Sequence, residues 1–171
     1  DGDVGWGCMI RCGQMMIAKA AQKSANDRSD HLNKQLIDLC NDEGSSELSP
    51  FSLFGLVDYA SQTFSVQPGQ WFRATTIMMS LEHMNKVHNP PLTNHIAIHT
   101  SVDSVVEPKE LFFRALPSRA AEKNDDHKYY IQALSTSTWE KELLLCVAVR
   151  TGLNKPQANF KDCLEIGRAH V

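Results

Sequence analysis

At 171 residues, 42% hydrophobic and 22% charged, the chain has the size and composition of a soluble globular protein with one sizeable core. Its net charge of −3 gives no basic footprint, which argues against a nucleic-acid partner. No apolar run approaches the roughly 18 residues of a membrane span; the longest, Leu143 to Val149, suits a strand.

In chain order, Cys8 to Ser24 reads as a helix with Cys8, Cys12, Met15, Met16 and Ala20 as its inner stripe and Arg11, Gln14 and Lys19 facing out. Gly13 costs that helix about 1 kcal/mol against alanine, so close packing is expected there. Asn26–Asp30 is loop, and His31–Cys40 is a second helix on Leu32, Leu36 and Leu39. After a turn over 41–46, Ser49 is the expected N-cap and Pro50 the first residue of a third helix, with Phe51, Phe54, Leu56 and Val57 inward. Pro68–Trp71 is a loop. A helix through Ala74, Ile77, Met78, Leu81 and Met84 ends before Pro90-Pro91, and Ile96–Ile98 opens a strand. Pro117–Tyr130 reads as a polar insertion and Leu143–Val149 as a strand buried on both faces. Gly152–Asn154 turns the chain and Gln157–Leu164 begins a helix. The order points to α/β or α+β. Two expectations concern the ends. The domain begins upstream of Asp1, so residues 1–165 are part of a domain, and Ile166–Val171, which matches a translated sequencing-adapter tail, is set aside with His170.

The chemistry concentrates in Gly5-Trp6-Gly7-Cys8-Met9-Ile10-Arg11-Cys12-Gly13-Gln14-Met15. A cysteine follows a glycine-flanked turn and opens a helix. Unpaired N–H groups and the dipole at a helix start favour S⁻ over SH, and thiols so placed have pKa values of about 3.5–7.5 against about 8.5 when free. The same N–H groups can receive an oxyanion. Spacing alone leaves two readings open for Cys8: a nucleophile, or a structural thiol that packs at a helix start.

The five cysteines (Cys8, Cys12, Cys40, Cys146, Cys163) are odd in number and unevenly spaced, which argues for a reducing cytosol and against a disulfide framework. Cys8 and Cys12 have neither a C-x-x-C nor paired histidines with them, so no zinc site is expected, and no cofactor is implied. Cys12 is read as a core residue, with a redox partner of Cys8 as the minor alternative. Asp125-Asp126-His127 imitates an acid–base pair, but its charged neighbours mark a solvated surface. His95 and His99 share one face of an extended segment about 13 Å apart, too far to chelate one metal.

Across Gly5–Met15 the sequence closely resembles the autophagin family of autophagy-related cysteine proteases, whose motif differs only in having leucine where Ile10 stands. Gly69-Gln70-Trp71 resembles a family loop with a substrate-gating tryptophan, and Leu143–Asn154 resembles the strand and turn after the family's variable insertion. The resemblance spans about Asp3 to Leu164. It implies a papain-like α/β fold, Cys8 as nucleophile and Trp71 as gate. It also implies a ubiquitin-like autophagy modifier as partner, cleaved after a glycine, and the same modifier released from phosphatidylethanolamine, with membrane contact made through the substrate. The family's Asp-Pro-His pair and an oxyanion tyrosine fall outside the chain, and losing one triad member costs about 10⁴–10⁶ in rate. The chain alone is therefore expected to be inactive, and a sheet lacking later strands to aggregate through its edge. The alternative function is a modifier-binding domain without catalysis.

Overall fold

The computed structural model describes residues 3–25, 29–43, 48–102, 105–115 and 141–148. Over these the chain forms α1 (Cys8–Ala25), α2 (Asp30–Leu39), α3 (Leu53–Phe64), α4 (Ala74–His88), β1 (Ile96–Ser101), α5 (Pro108–Ala115) and β2 (Glu142–Val147). The mixed α/β class expected from sequence is what is seen. The insertion at 117–130, the turn at 152–154, the helix at 157–164 and the tail at 166–171 lie outside the described residues.

Local chemistry sets the helix ends. Ser29 caps α2 by accepting the Leu32 N–H at 3.2 Å. α4 stops at Asn89, whose left-handed φ of 44° closes the helix before Pro90. The third helix starts later than Ser49-Pro50 predicts. Ser49 donates its hydroxyl to the Asp38 carbonyl at 2.7 Å, which leaves the cap to Ser52, whose Oγ accepts from Gly55 N at 3.1 Å. The later start also turns Phe54 outward, whereas Phe51, Leu56 and Val57 are buried as expected and Leu53 and Ala60 join them. α5 has no counterpart in the sequence reading, although Pro108 at its first position is a start signal.

α4 is the hub. It packs against α1, α3 and β1, and its Ile77, Leu81 and Met84 join Ile10, Ile17, Leu56 and Phe72 in one core. At its far end, Asn85 Nδ2 donates to the Ile96 carbonyl at 2.9 Å and clamps α4 to the start of β1. β1 and β2 pair in parallel, from Ile96 opposite Glu142 to Ser101 opposite Val147. A parallel pair needs a crossover, and α5 lies within it.

β2 is not buried on both faces, contrary to the sequence reading. Cys146 is buried, Leu143 and Leu144 are half-buried, and Leu145 is 40% exposed. Among the described residues β2 has a single strand neighbour, β1. His95 precedes β1 in a turn, whereas His99 is buried within it with Nε2 3.8 Å from Glu110 Oε2.

Candidate active site

The turn before α1 is built on glycine. Gly5 has φ +88°, a backbone state that strains other residues. A Cβ on Gly7 would lie 2.5 Å from Asp3 Cβ, so only glycine lets the turn fold down onto Asp3. The Asp3 carbonyl accepts the N–H groups of Trp6 at 3.3 Å and Gly7 at 2.9 Å. Cys8 is then the first residue of an 18-residue helix, is exposed, and has no acidic side chain in the first turn beside it. The first N–H groups of a helix lack partners within it. An exposed thiol there sits at the helix's positive end, beside a turn whose Asp3 carboxylate is paired to Arg11.

α1 presents a different face to the core than its sulfur-containing residues suggest. Ile10, Gly13, Gln14, Ile17 and Ala21 are buried, whereas Cys12 is exposed and Met15 is 63% exposed. The reading of Cys12 as a core residue is therefore corrected: it shares the exposed face of Cys8, one turn on. Gln14, expected outside, is buried with its Nε2 donating to the Phe51 carbonyl at 2.7 Å. The branched pair Ile10 and Ile17, seven apart and followed by Ala21, forms a more apolar stripe than cysteine and methionine do. That spacing was the available signal.

Arg11 is likewise not a free outward side chain. Its Nε donates to Asp3 Oδ2 at 2.8 Å, Nη2 to Asp42 Oδ2 at 2.7 Å, and Nη1 to Gln14 Oε1 at 3.1 Å. The guanidinium holds the Asp3 carboxyl below the usual carboxylate range, chiefly by that hydrogen bond. Asp42 uses its other oxygen to accept Leu53 N at 2.7 Å, at the first residue of α3. Asp3 and Asp42 carry no sequence signal of this role, because their partner is set by how α1 meets the α2–α3 connection.

Trp71 is 64% exposed, as its loop setting suggests, while its neighbour Phe72 is fully buried. The Phe72 ring lies 5.9 Å from the Trp6 ring at 33°. This contact brings the 68–71 loop against the turn that carries Cys8, so both sequence-named site residues flank one aromatic contact. Among the described residues no imidazole is hydrogen-bonded to Cys8. His31 is exposed on α2, and His83 stacks on Tyr59 at 4.0 Å. Asp125, Asp126 and His127 lie outside the described residues. The remaining described thiols are sheltered: burial pushes Cys40 and Cys146 up to about 11, with Asp42 and Glu82 adding to each respectively.

α1 thus opens on an exposed cysteine and packs against α4 and β1 in a mixed α/β fold. Comparison gives the family. The Peptidase C54 catalytic domain matches residues 1–166, and the chain belongs to that family. It is 29% identical over 163 residues to the "Probable cysteine protease ATG4" of Scheffersomyces stipitis, covering 95% of this chain and 27% of that protein. It is 31% identical over 93 residues to the "Cysteine protease ATG4" of Kluyveromyces marxianus, covering 48% of this chain and 19% of that protein. The "Probable cysteine protease atg4" of Schizosaccharomyces pombe is 27% identical over 137 residues, 77% of this chain and 41% of its own length. The chain thus spans between a fifth and two-fifths of these relatives. Among the described residues no helix is long and apolar enough to cross a membrane.

Proposed function

We propose that the protein carrying this chain is an autophagy cysteine endopeptidase with Cys8 as its nucleophile. The observation that carries the reading is the placement of Cys8: exposed, at the first position of α1, after a turn that only glycine can make. In this reading the Cys8 thiolate adds to the carbonyl carbon of a glycine near the C-terminus of a ubiquitin-like modifier. First-turn N–H groups hold the oxyanion. The C–N bond breaks, the amine leaves with a proton from a general-acid imidazole, and a thioester remains on Cys8. Water then cleaves the thioester, giving a carboxylate and the free thiol. The same sequence at the amide to phosphatidylethanolamine releases the lipid-bound modifier, so membrane contact is made through the substrate. In this reading Trp71 is the gate over the incoming tail; its exposed ring, next in the chain to the Phe72 that packs on Trp6, supports that role.

The test uses the full-length protein and a modifier bearing a C-terminal glycine aldehyde or vinyl sulfone. Wild type forms a covalent adduct mapped to Cys8 and cleaves the precursor; Cys8→Ala does neither. An adduct that survives Cys8→Ala overturns the assignment. Modifier capture by a wild-type protein that neither labels nor cleaves would instead identify a binding module.

A further inference from the structure

Three hydrogen bonds close a ring around Cys8. Gly7 N donates to the Asp3 carbonyl at 2.9 Å, Arg11 N donates to the Gly7 carbonyl at 3.0 Å, and Arg11 Nε returns to the Asp3 carboxylate at 2.8 Å. Residues 3, 7 and 11 are thereby fixed to one another, and Cys8 lies on the arc between the last two. A second arm of the same guanidinium reaches Asp42 at 2.7 Å, and a third reaches Gln14, whose amide grips the Phe51 carbonyl. We infer that Arg11 is the positioning residue for Cys8: with Asp3 it locks the glycine turn onto the first turn of α1, and through Asp42 it anchors that lock to the α2–α3 connection.

Geometry makes the guanidinium hard to replace. Three acceptors lie around one planar fork, which arginine can serve at once and the single ammonium of lysine cannot. Without the ring, the glycines that permit the turn also leave it loose, since glycine has the largest conformational freedom to recover. Cys8 would then fray with the helix start, away from the first-turn N–H groups that can receive an oxyanion. A displacement of about 1 Å at a reacting atom costs on the order of 100-fold in rate.

The inference rests on the peptidase reading for its consequence, but its test does not need turnover. In the full-length protein, Cys8 and Cys12 are alkylated with iodoacetamide at neutral pH and their rates separated by fragment-ion mass spectrometry. Cys12, exposed on the same helix but outside the ring, is the internal reference. Arg11→Gln and Asp3→Ala each lower the Cys8/Cys12 rate ratio by about fivefold or more, and the double variant is no worse than either alone, because either change opens the ring. Arg11→Lys recovers part of the ratio. Where cleavage is measured, kcat falls about 10- to 100-fold with KM little changed. A general loss of stability would shift both thiols together and leave the ratio alone. Asp3→Ala decides the matter should Arg11→Gln fail to fold, because Asp3 stands in the turn outside the hydrophobic core. An unchanged Cys8/Cys12 ratio in Asp3→Ala overturns the inference whether or not the protein is a peptidase.

Discussion

Trp71 and Phe72 are consecutive in the chain and opposite in exposure, one 64% exposed and the other fully buried against Trp6. Their substitutions should separate function from stability. Trp71→Ala removes a ring that packs on little within the fold, so stability stays within about 0.5 kcal/mol. If the ring clasps substrate, kcat/KM for the modifier falls about 3- to 10-fold, the worth of one aromatic contact. Phe72→Ala empties a core position and costs about 3–5 kcal/mol of unfolding free energy. It also removes the partner that holds Trp6 beside Cys8. Denaturant unfolding and cleavage kinetics on both variants check the pair. A Trp71→Ala protein with wild-type kinetics would remove the gate from the mechanism.

At the scale of the element, α1 tests helix propensity against packing. Gly13→Ala gains about 1 kcal/mol of helix propensity. The new Cβ, however, would lie 2.5 Å from Ile77 Cγ2 and 3.1 Å from Leu81 Cδ1 on α4, and overpacking of this kind costs about 1–3 kcal/mol. Packing wins, and the variant unfolds at lower denaturant. The double variant with Ile77→Ala is less destabilised than the two single losses summed, because truncating Ile77 removes the clash; full additivity would show that the helices simply part. The same helix shows what was legible in the sequence. The glycine turn, the helix start at Cys8 and the close approach at Gly13 follow from local residue chemistry. The buried face did not, because cysteine, methionine and isoleucine compete for it, and only α4 settles which stripe meets Ile77 and Leu81. Likewise, Ser49 and Ser52 are equal caps by type until Asp38 takes the Ser49 hydroxyl. Leu143–Val149 reads as doubly buried because apolarity reveals nothing about how many neighbours a strand will have. The Arg11 ring was the least legible part, since its acceptors lie 8 residues before it and 31 after it.

For the molecule as a whole, Cys40 at the end of α2 and Cys146 in β2 tie stability to alkaline pH. Both thiols are raised from an ordinary 9.0 to about 11, first by burial and then by Asp42 or Glu82, with Arg11 partly opposing the shift at Cys40. The folded state therefore keeps protons that the unfolded chain gives up above pH 9. The stability linked to the neutral thiols is fully present below that point and is lost as pH rises from about 9 to about 11. For Cys146, 2% exposed, the step corresponds to about 2–3 kcal/mol; for the half-buried Cys40 it is smaller. At neutral pH the same shelter keeps both thiols protonated and unreactive, leaving thiol chemistry among the described residues to Cys8 and Cys12. Denaturant midpoints of the full-length protein at pH 8 and pH 10.5 read this out. Cys40→Ala and Cys146→Ala each lower stability at pH 8, yet each flattens the alkaline decline, and the double variant flattens it further because the two sit on separate elements. Tyrosine and lysine ionisation is common to all four proteins and cancels in the difference. A double variant that declines as steeply as wild type would mean that the thiols ionise within the folded protein as readily as outside it, and that burial does not set their protonation.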